Sequence, residues 1–247
     1  MNKIEIICCH NGKKGTTTDY VVNEHEIKLF VNQKEEFSFQ TYPLNINDLV
    51  TGFLASEKLI SSSNDVINST FVEMKNEVHI HIKASTEMKS ENISQSFSSR
   101  YQSPQYSMIL KASFVIELMN TFIDISTTFK KTGAVHTAAI ATNKDIEYSY
   151  DDIGRHNAID KCVGKALKDE IDLKRKILLV TCRISSGIIT KVINNGIPII
   201  ISRAPPTLAA IDLAQKKNTT IVGFCRGTRF NVYSHPNRII FQDLEEN

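Results

Sequence analysis

Two hydrophobic periods divide the chain. Before residue 85 apolar residues mostly alternate with polar ones. Residues 17–32 (TTDYVVNEHEIKLFVN) and 37–43 (FSFQTYP) read as strands about a polar turn at 33–35. Residues 66–74 and 77–84 read as a second pair, turned near Lys75 and Asn76, with His79 and His81 alternating with Val78, Ile80 and Ile82. Between the pairs, residues 45–60 suit a short helix with Asn47 as N-cap and Leu49, Phe53, Leu54 and Leu59 on its apolar side.

After residue 108 the period changes. Apolar residues at 110, 114, 115, 118, 119, 122, 125 and 129 predict one helix ending at Gly133. Residues 136–142 and 145–150 read as a strand pair turned by Asn143 and Lys144. A helix through Ile159, Cys162, Val163, Ala166 and Leu167 follows. Strands at 176–182, 197–202 and 219–225 then alternate with helices at 186–195 and 206–217. This alternation predicts a largely parallel, three-layer α/β sheet. The chain is therefore expected to be α+β overall: a smaller strand-rich domain at 1–107 and an α/β domain at 108–247. Residues 85–107, with eight serines and one proline, form the expected connecting loop.

Composition excludes several classes. The 247 residues are 41% hydrophobic and 23% charged, ordinary for a globular protein. No apolar run approaches the roughly 20 residues of a membrane span. The first residues hold too short an apolar run for a signal peptide, so a cytoplasmic location is expected. A net charge of +2 gives no global field for nucleic acid or an anionic membrane. Cys8, Cys9, Cys162, Cys182 and Cys225 include no C-x-x-C pair. Free thiols are expected, and neither a zinc site nor a disulfide framework.

Local chemistry concentrates where the strands end. Arg155, Arg183, Arg203 and Arg226 each follow a predicted strand within a few residues, and Gly227 and Arg229 follow Arg226. Ser185, Ser186 and Thr207 open helices after two of those strands. Ligands of open α/β sheets bind outside the carboxyl strand ends, and guanidinium forks and helix N-termini suit phosphates. One such arginine would read as a solvated loop charge. Four in register favour a cleft for a ligand with several phosphates, a nucleotide. In YSYDDIGRHNAIDK, residues 148–161, Asp151 or Asp152 is placed to cap a helix and Gly154 to turn the chain. Arg155, His156 and Asn157 exceed what a cap needs. His136 opens the preceding strand, at either end of the sheet, and reads as a structural hydrogen-bonder.

DDIGRHNAIDK resembles the D-[VI]-G-R-H-N-A-x-D-K element of the FdhD/NarQ family, the formate dehydrogenase accessory sulfurtransferases. PLNINDLVTGFLASE, FKKTGAVHTAA, TCRISSGIITKV, SRAPPTLAAIDLA and TIVGFCRGTRFNVYSHPNRI are similar to further family elements, in order, from about residue 20 to 240. The resemblance implies a cytidine-deaminase-like fold for the second domain. It implies service to a molybdenum-dependent formate dehydrogenase or related apoenzyme. It also implies that persulfide sulfur passes from a cysteine desulfurase to the molybdenum bis(molybdopterin guanine dinucleotide) cofactor. Cofactor contact falls on Phe224, Cys225, Arg226, Gly227, Thr228 and Arg229. Arg183, Arg203, Arg155 and His156 join them by position. A guanine nucleotide is thus an expected ligand, and a homodimer an expected state.

The sequence departs from the family at one chemical point. The family's persulfide cysteine lies between the two halves, where this chain has Phe97, Ser98 and Ser99 and no cysteine. A serine cannot carry a persulfide. Ala134, Lys58 and Cys182 also replace family glycines. Two functions stay open: a sulfurtransferase with a displaced cysteine, and a cofactor-binding chaperone without sulfur transfer. Zinc deamination is excluded, because His136-Thr137-Ala138 lacks the glutamate of H-x-E and no P-C-x-x-C follows.

Overall fold

The computed structural model describes residues 1–83 and 108–241. The expected connecting loop, with Phe97, Ser98 and Ser99, lies outside them. No helix among the described residues is long and apolar enough to cross a membrane.

The chain opens on a hairpin of β1 (Asn2–His10) and β2 (Lys13–Val21). Asn11 and Gly12 turn it at φ of 51° and 76°. Two successive positive φ values match the twist of the flanking strands, and Asn-Gly adopts them at low cost. Residues 17–32 are therefore not one strand. The chain breaks at 22–24, and β3 (His25–Val31) starts a separate sheet.

That sheet has the order β4-β3-β6-β5, with β4 (Lys34–Thr41), β5 (Val66–Val72) and β6 (Glu77–Ile82). Its alternation puts Ile27, Leu29, Val78 and Ile80 on one face, against Leu49 and Leu54 of α1 (Ile46–Ser56). Asn45, not Asn47, caps α1. It sits in the left-handed region at φ 59°, which asparagine tolerates, and its carbonyl accepts from Asp48 and Leu49.

The second half begins with β7 (Leu110–Lys111) and α2 (Ala112–Ile123). The single helix expected to Gly133 is two: α3 (Thr127–Thr132) starts afresh. Ser126 causes the break. Its Oγ accepts from the Phe129 N–H at 2.9 Å and donates to Asp151 at 2.7 Å, so the chain leaves helical geometry there.

Then come β8 (His136–Ala141), β9 (Ile146–Asp152), α4 (Arg155–Lys168), β10 (Ile177–Val180) and α5 (Ser186–Asn194). β11 (Ile199–Ser202), α6 (Leu208–Lys216), β12 (Thr220–Arg226), β13 (Arg229–Ser234) and β14 (Ile239–Ile240) complete the chain. The main sheet has the order β13-β12-β11-β10-β8-β9. Only β10, β11 and β12 run parallel to their neighbours in it. β8–β10, β8–β9 and β12–β13 are antiparallel, which corrects the largely parallel expectation. The short turns at 142–145 and 227–228 impose this on two of the pairs, since parallel neighbours need a long crossover.

The three layers are as expected. Ile177 and Leu179 point to α2, while Leu178 and Val180 point to the cluster under α4, α5 and α6. That second cluster continues through α1 into the first sheet, so one core spans both halves. α1 and α4 touch backbone to backbone: a Cβ on Gly52 would lie 1.7 Å from the Asp160 carbonyl oxygen.

Candidate functional site

The polar cluster at 151–161 is first a joint. Asp152 ends β9 fully buried, 2.6 Å from the equally buried Lys161 ammonium. It accepts from Thr41 Oγ1, from the Gly154 N–H at 2.8 Å and from Asn157 Nδ2 at 3.1 Å. Lys161 also donates to the Tyr42 carbonyl at 3.0 Å, and Asn157 to the Gln40 carbonyl at 2.8 Å. Asp160 accepts from Ser56 at 2.7 Å and pairs with Lys191 at 2.9 Å. Every one of these groups reaches into the first half or braces one that does. Gly154, not an aspartate, holds the N-cap position of α4. The expected aspartate cap is replaced by Asp152 reaching back from the strand.

The sheet topology then builds one edge. β9 to β12 all end on it, and β8 starts on it, because His136 pairs with Asp152 in register. His136 therefore faces the same end as the arginines. Its Nδ1 is 3.5 Å from Thr181 Oγ1. Burial first, then the Arg155 charge, lowers its pKa and favours the neutral ring. Below it, Thr137 and Ser126 both donate to Asp151 at 2.7 Å.

A cleft of about 300 Å³ opens at this edge against α2 and α3. Phe122, Ile123, Phe129 and Ile153 give it apolar walls, and Ser126, His136, Thr181 and Arg203 give it polar ones. Arg226 joins it indirectly. Its Nε donates to the Arg203 carbonyl at 3.0 Å, and its guanidinium lies 5.3 Å from the centre of the Phe224 ring. Phe224 occupies the left-handed region at φ 52°, within a register shift of β12 against β13. A bulky aromatic at positive φ is strained, and such strain concentrates at functional sites. Gly227, Thr228 and Arg229 are exposed at the adjoining turn, as are Arg155, Arg183 and Arg203 along the edge.

Two of the sequence-derived residues point elsewhere. Cys225 turns into the core, 3.9 Å from the Val115 carbonyl, and burial pushes its thiol up to about 12. The residue as a whole is 1% exposed, so it offers a ligand no surface of its own. His156 packs against the start of α5, its Nε2 3.2 Å from where a Cβ on Gly187 would sit. Cys182 is also buried, and its thiol is pushed up to about 11 despite Arg155 and Arg183 nearby.

His156 carries a pH prediction. Burial, then Lys191 and Arg155, lowers its pKa from 6.5 to about 4. Between those values the unfolded chain binds the extra proton, so stability falls as pH drops through that window. His136 acts in the same direction. Asp160, raised by burial to about 6, acts oppositely, because the folded state holds its proton below that pH. The readout is therefore a difference. Melting temperature against pH is expected to fall less steeply toward pH 4 in His156→Gln than in the unsubstituted chain; equal slopes would remove His156 as a cause.

The sequence alone missed Phe224's backbone and the Ser126–Asp151–Thr137 chain. No sequence signal marks the first. Ser126 within an apolar repeat was the available signal for the second.

The family model described as the FdhD/NarQ family matches residues 22–240. The sulfur carrier protein FdhD of Listeria monocytogenes is 34% identical, over 89% of this chain and 91% of its own. That of Geobacillus kaustophilus is 32% identical, over 93% and 94%. That of Staphylococcus aureus is 33% identical, over 95% of each. A crystal structure from Desulfotalea psychrophila, described as a formate dehydrogenase accessory protein, superposes with a TM-score of 0.80 over 97% of this chain and 99% of that one. At 21% identity it speaks for the fold.

Proposed function

The chain belongs to the FdhD/NarQ family, and from that premise we propose that it is an accessory protein of formate dehydrogenase maturation that binds the molybdenum bis(molybdopterin guanine dinucleotide) cofactor at the carboxyl edge of its main sheet. Sulfur taken from a cysteine desulfurase is delivered there. One observation carries the reading. Arg155, Arg183, Arg203, Arg226 and Arg229 share that edge, and a strained Phe224 under the Arg226 guanidinium sits beside the cleft.

The residues fit the group. Pyrophosphate oxygens suit the guanidinium forks of Arg203, Arg226 and Arg229. A purine or pterin ring suits the walls given by Phe122, Phe129 and Ile153. The bound cofactor supplies the metal and dithiolene chemistry of the partner enzyme. The chain itself binds, orients and shields it. His136, held neutral, offers hydrogen bonds without a competing charge.

A second reading has its own support. The cysteines inside the matched span are Cys162, Cys182 and Cys225, all buried with thiols raised by burial. On that reading the chain binds and hands over the cofactor without carrying sulfur.

Titration with guanosine diphosphate tests the site. The unsubstituted chain is expected to bind it. Arg226→Ala or Arg229→Ala is expected to weaken binding about tenfold or more, the worth of a hydrogen bond to a charged group. Unchanged affinity in both variants would remove the cleft assignment.

A further inference from the structure

We propose that His136 makes ligand binding at the cleft proton-linked: its ring takes up a proton when a pyrophosphate enters, so the chain holds its ligand more tightly as pH falls. The inference rests on the binding reading above and names how that site is regulated.

β8 starts at the edge where β9 to β12 end, so its first residue stands among the groups that follow the other strands. His136 lines the cleft together with Thr181 and Arg203. Thr181 holds one side of the ring, its Oγ1 3.5 Å from Nδ1. That hydroxyl is itself fixed, because it accepts from the Thr137 N–H at 3.1 Å. Among the described residues Nε2 has no hydrogen-bond partner, so it is left to the cleft. A volume of about 300 Å³ is roughly 7 Å across, so an anion seated beside Arg203 lies within roughly 7 Å of the ring. An opposite charge at about 4–6 Å favours the charged form of a titrating group by about one unit or more.

The surrounding groups leave that countercharge to the ligand. Burial, then Arg155 of α4, opposes protonation of the ring. Arg203, after β11, carries the same sign of charge. From β9, Asp151 is taken up by the Ser126 and Thr137 hydroxyls, both at 2.7 Å, and Asp152 by Lys161 at 2.6 Å. Cys182, after β10, is neutral, its thiol pushed up to about 11. α2 and α3 present Phe122, Ile123 and Phe129 to the cleft. Lys130 of α3 pairs with Asp124 at 2.9 Å, and Lys131 lies 5.8 Å from the centre of the Tyr20 ring. His156 packs against α5 and titrates at about 4, below the range that matters here.

The free ring is therefore neutral near pH 7. A bound pyrophosphate raises its pKa, and between the free and the bound value only the bound state holds the extra proton. Affinity rises as pH falls through that window and is flat above it. The proton comes from the buffer, which makes it countable. A rise of one unit is worth about tenfold in affinity.

The test is isothermal titration calorimetry of the full chain with diguanosine 5′,5′-pyrophosphate, a diester whose charge is constant over the histidine range. Guanosine diphosphate is unsuitable, because its terminal phosphate titrates at about pH 6. Runs in two buffers of different ionisation enthalpy count the protons taken up. The unsubstituted chain is expected to bind about tenfold more tightly at about pH 5.5 than at about pH 8, with proton uptake. His136→Gln keeps a hydrogen-bonding side chain that does not titrate, and is expected to bind with no uptake and no pH dependence. The ring signals of His136 by NMR, titrated with and without the dinucleotide, need no variant, and their pKa is expected to rise on binding. An unmoved pKa, uptake that persists in His136→Gln, or binding without uptake overturns the inference and leaves the binding reading standing. No binding by the unsubstituted chain at any pH overturns both.

Discussion

Gly164→Ala is expected to cost about 3 kcal/mol or more of folding stability, the upper range for forcing a methyl group into a filled contact. Its Cβ would fall 1.9 Å from the Asp48 carbonyl oxygen. Gly52→Ala meets the reciprocal clash, 1.7 Å from the Asp160 carbonyl oxygen. Both obstacles are backbone, so no rotamer relieves them, and α1 and α4 must separate. Separation pulls apart the core that joins the two sheets. For a chain of this size, a loss of that order lowers the melting temperature by roughly 10 °C. The double variant is expected to cost less than the sum, because one separation relieves both clashes. Differential scanning calorimetry on the three variants checks this; a melting temperature unchanged in either single variant would contradict the close packing of the two helices.

Lys161→Met is expected to be as damaging for a different reason. Lys161 and Asp152 are both fully buried, 2.6 Å apart. Removing the ammonium leaves the carboxylate with its hydroxyl, amide and backbone donors but no countercharge. Breaking a buried pair this way costs about 3–5 kcal/mol. The Tyr42 carbonyl also loses one donor but keeps the Leu44 N–H at 2.7 Å and Thr41 Oγ1 at 3.2 Å, so the main cost is the unpaired charge. Lys161→Met combined with Asp152→Asn removes both charges and is expected to recover part of the loss. Chemical denaturation of the single and double variants separates the cases. A double variant no more stable than Lys161→Met alone would show that the charge is not what matters.

These two contacts also mark where sequence reading stops. DDIGRHNAIDK announces an unusual density of polar groups, but their partners sit far away in the chain. Thr41 and Asp152 are 111 residues apart, and Ser56 and Asp160 are 104 apart. Nothing local names such partners, so Asp152 read as a helix cap instead of a joint. The arginine edge was legible for the opposite reason. Each arginine follows its strand directly, and a sheet whose β9 to β12 end together gathers them. The parallel direction was overestimated, because short turns at 142–145 and 227–228 force antiparallel pairs whatever follows them. The first hairpin went unread, although Asn11-Gly12 between two runs of strand-forming residues was a signal for it. Phe224 shows no signal at all, since an aromatic gives no notice of a positive φ.

The most direct measurement is formate-dependent dye reduction by a molybdenum formate dehydrogenase from the same source, produced in a host whose own family member has been deleted, with and without this chain. The account predicts active enzyme only when the chain is present, and markedly less with Arg226→Ala. Full activity without the chain, or none with it while the enzyme accumulates as protein, would contradict a role in maturation.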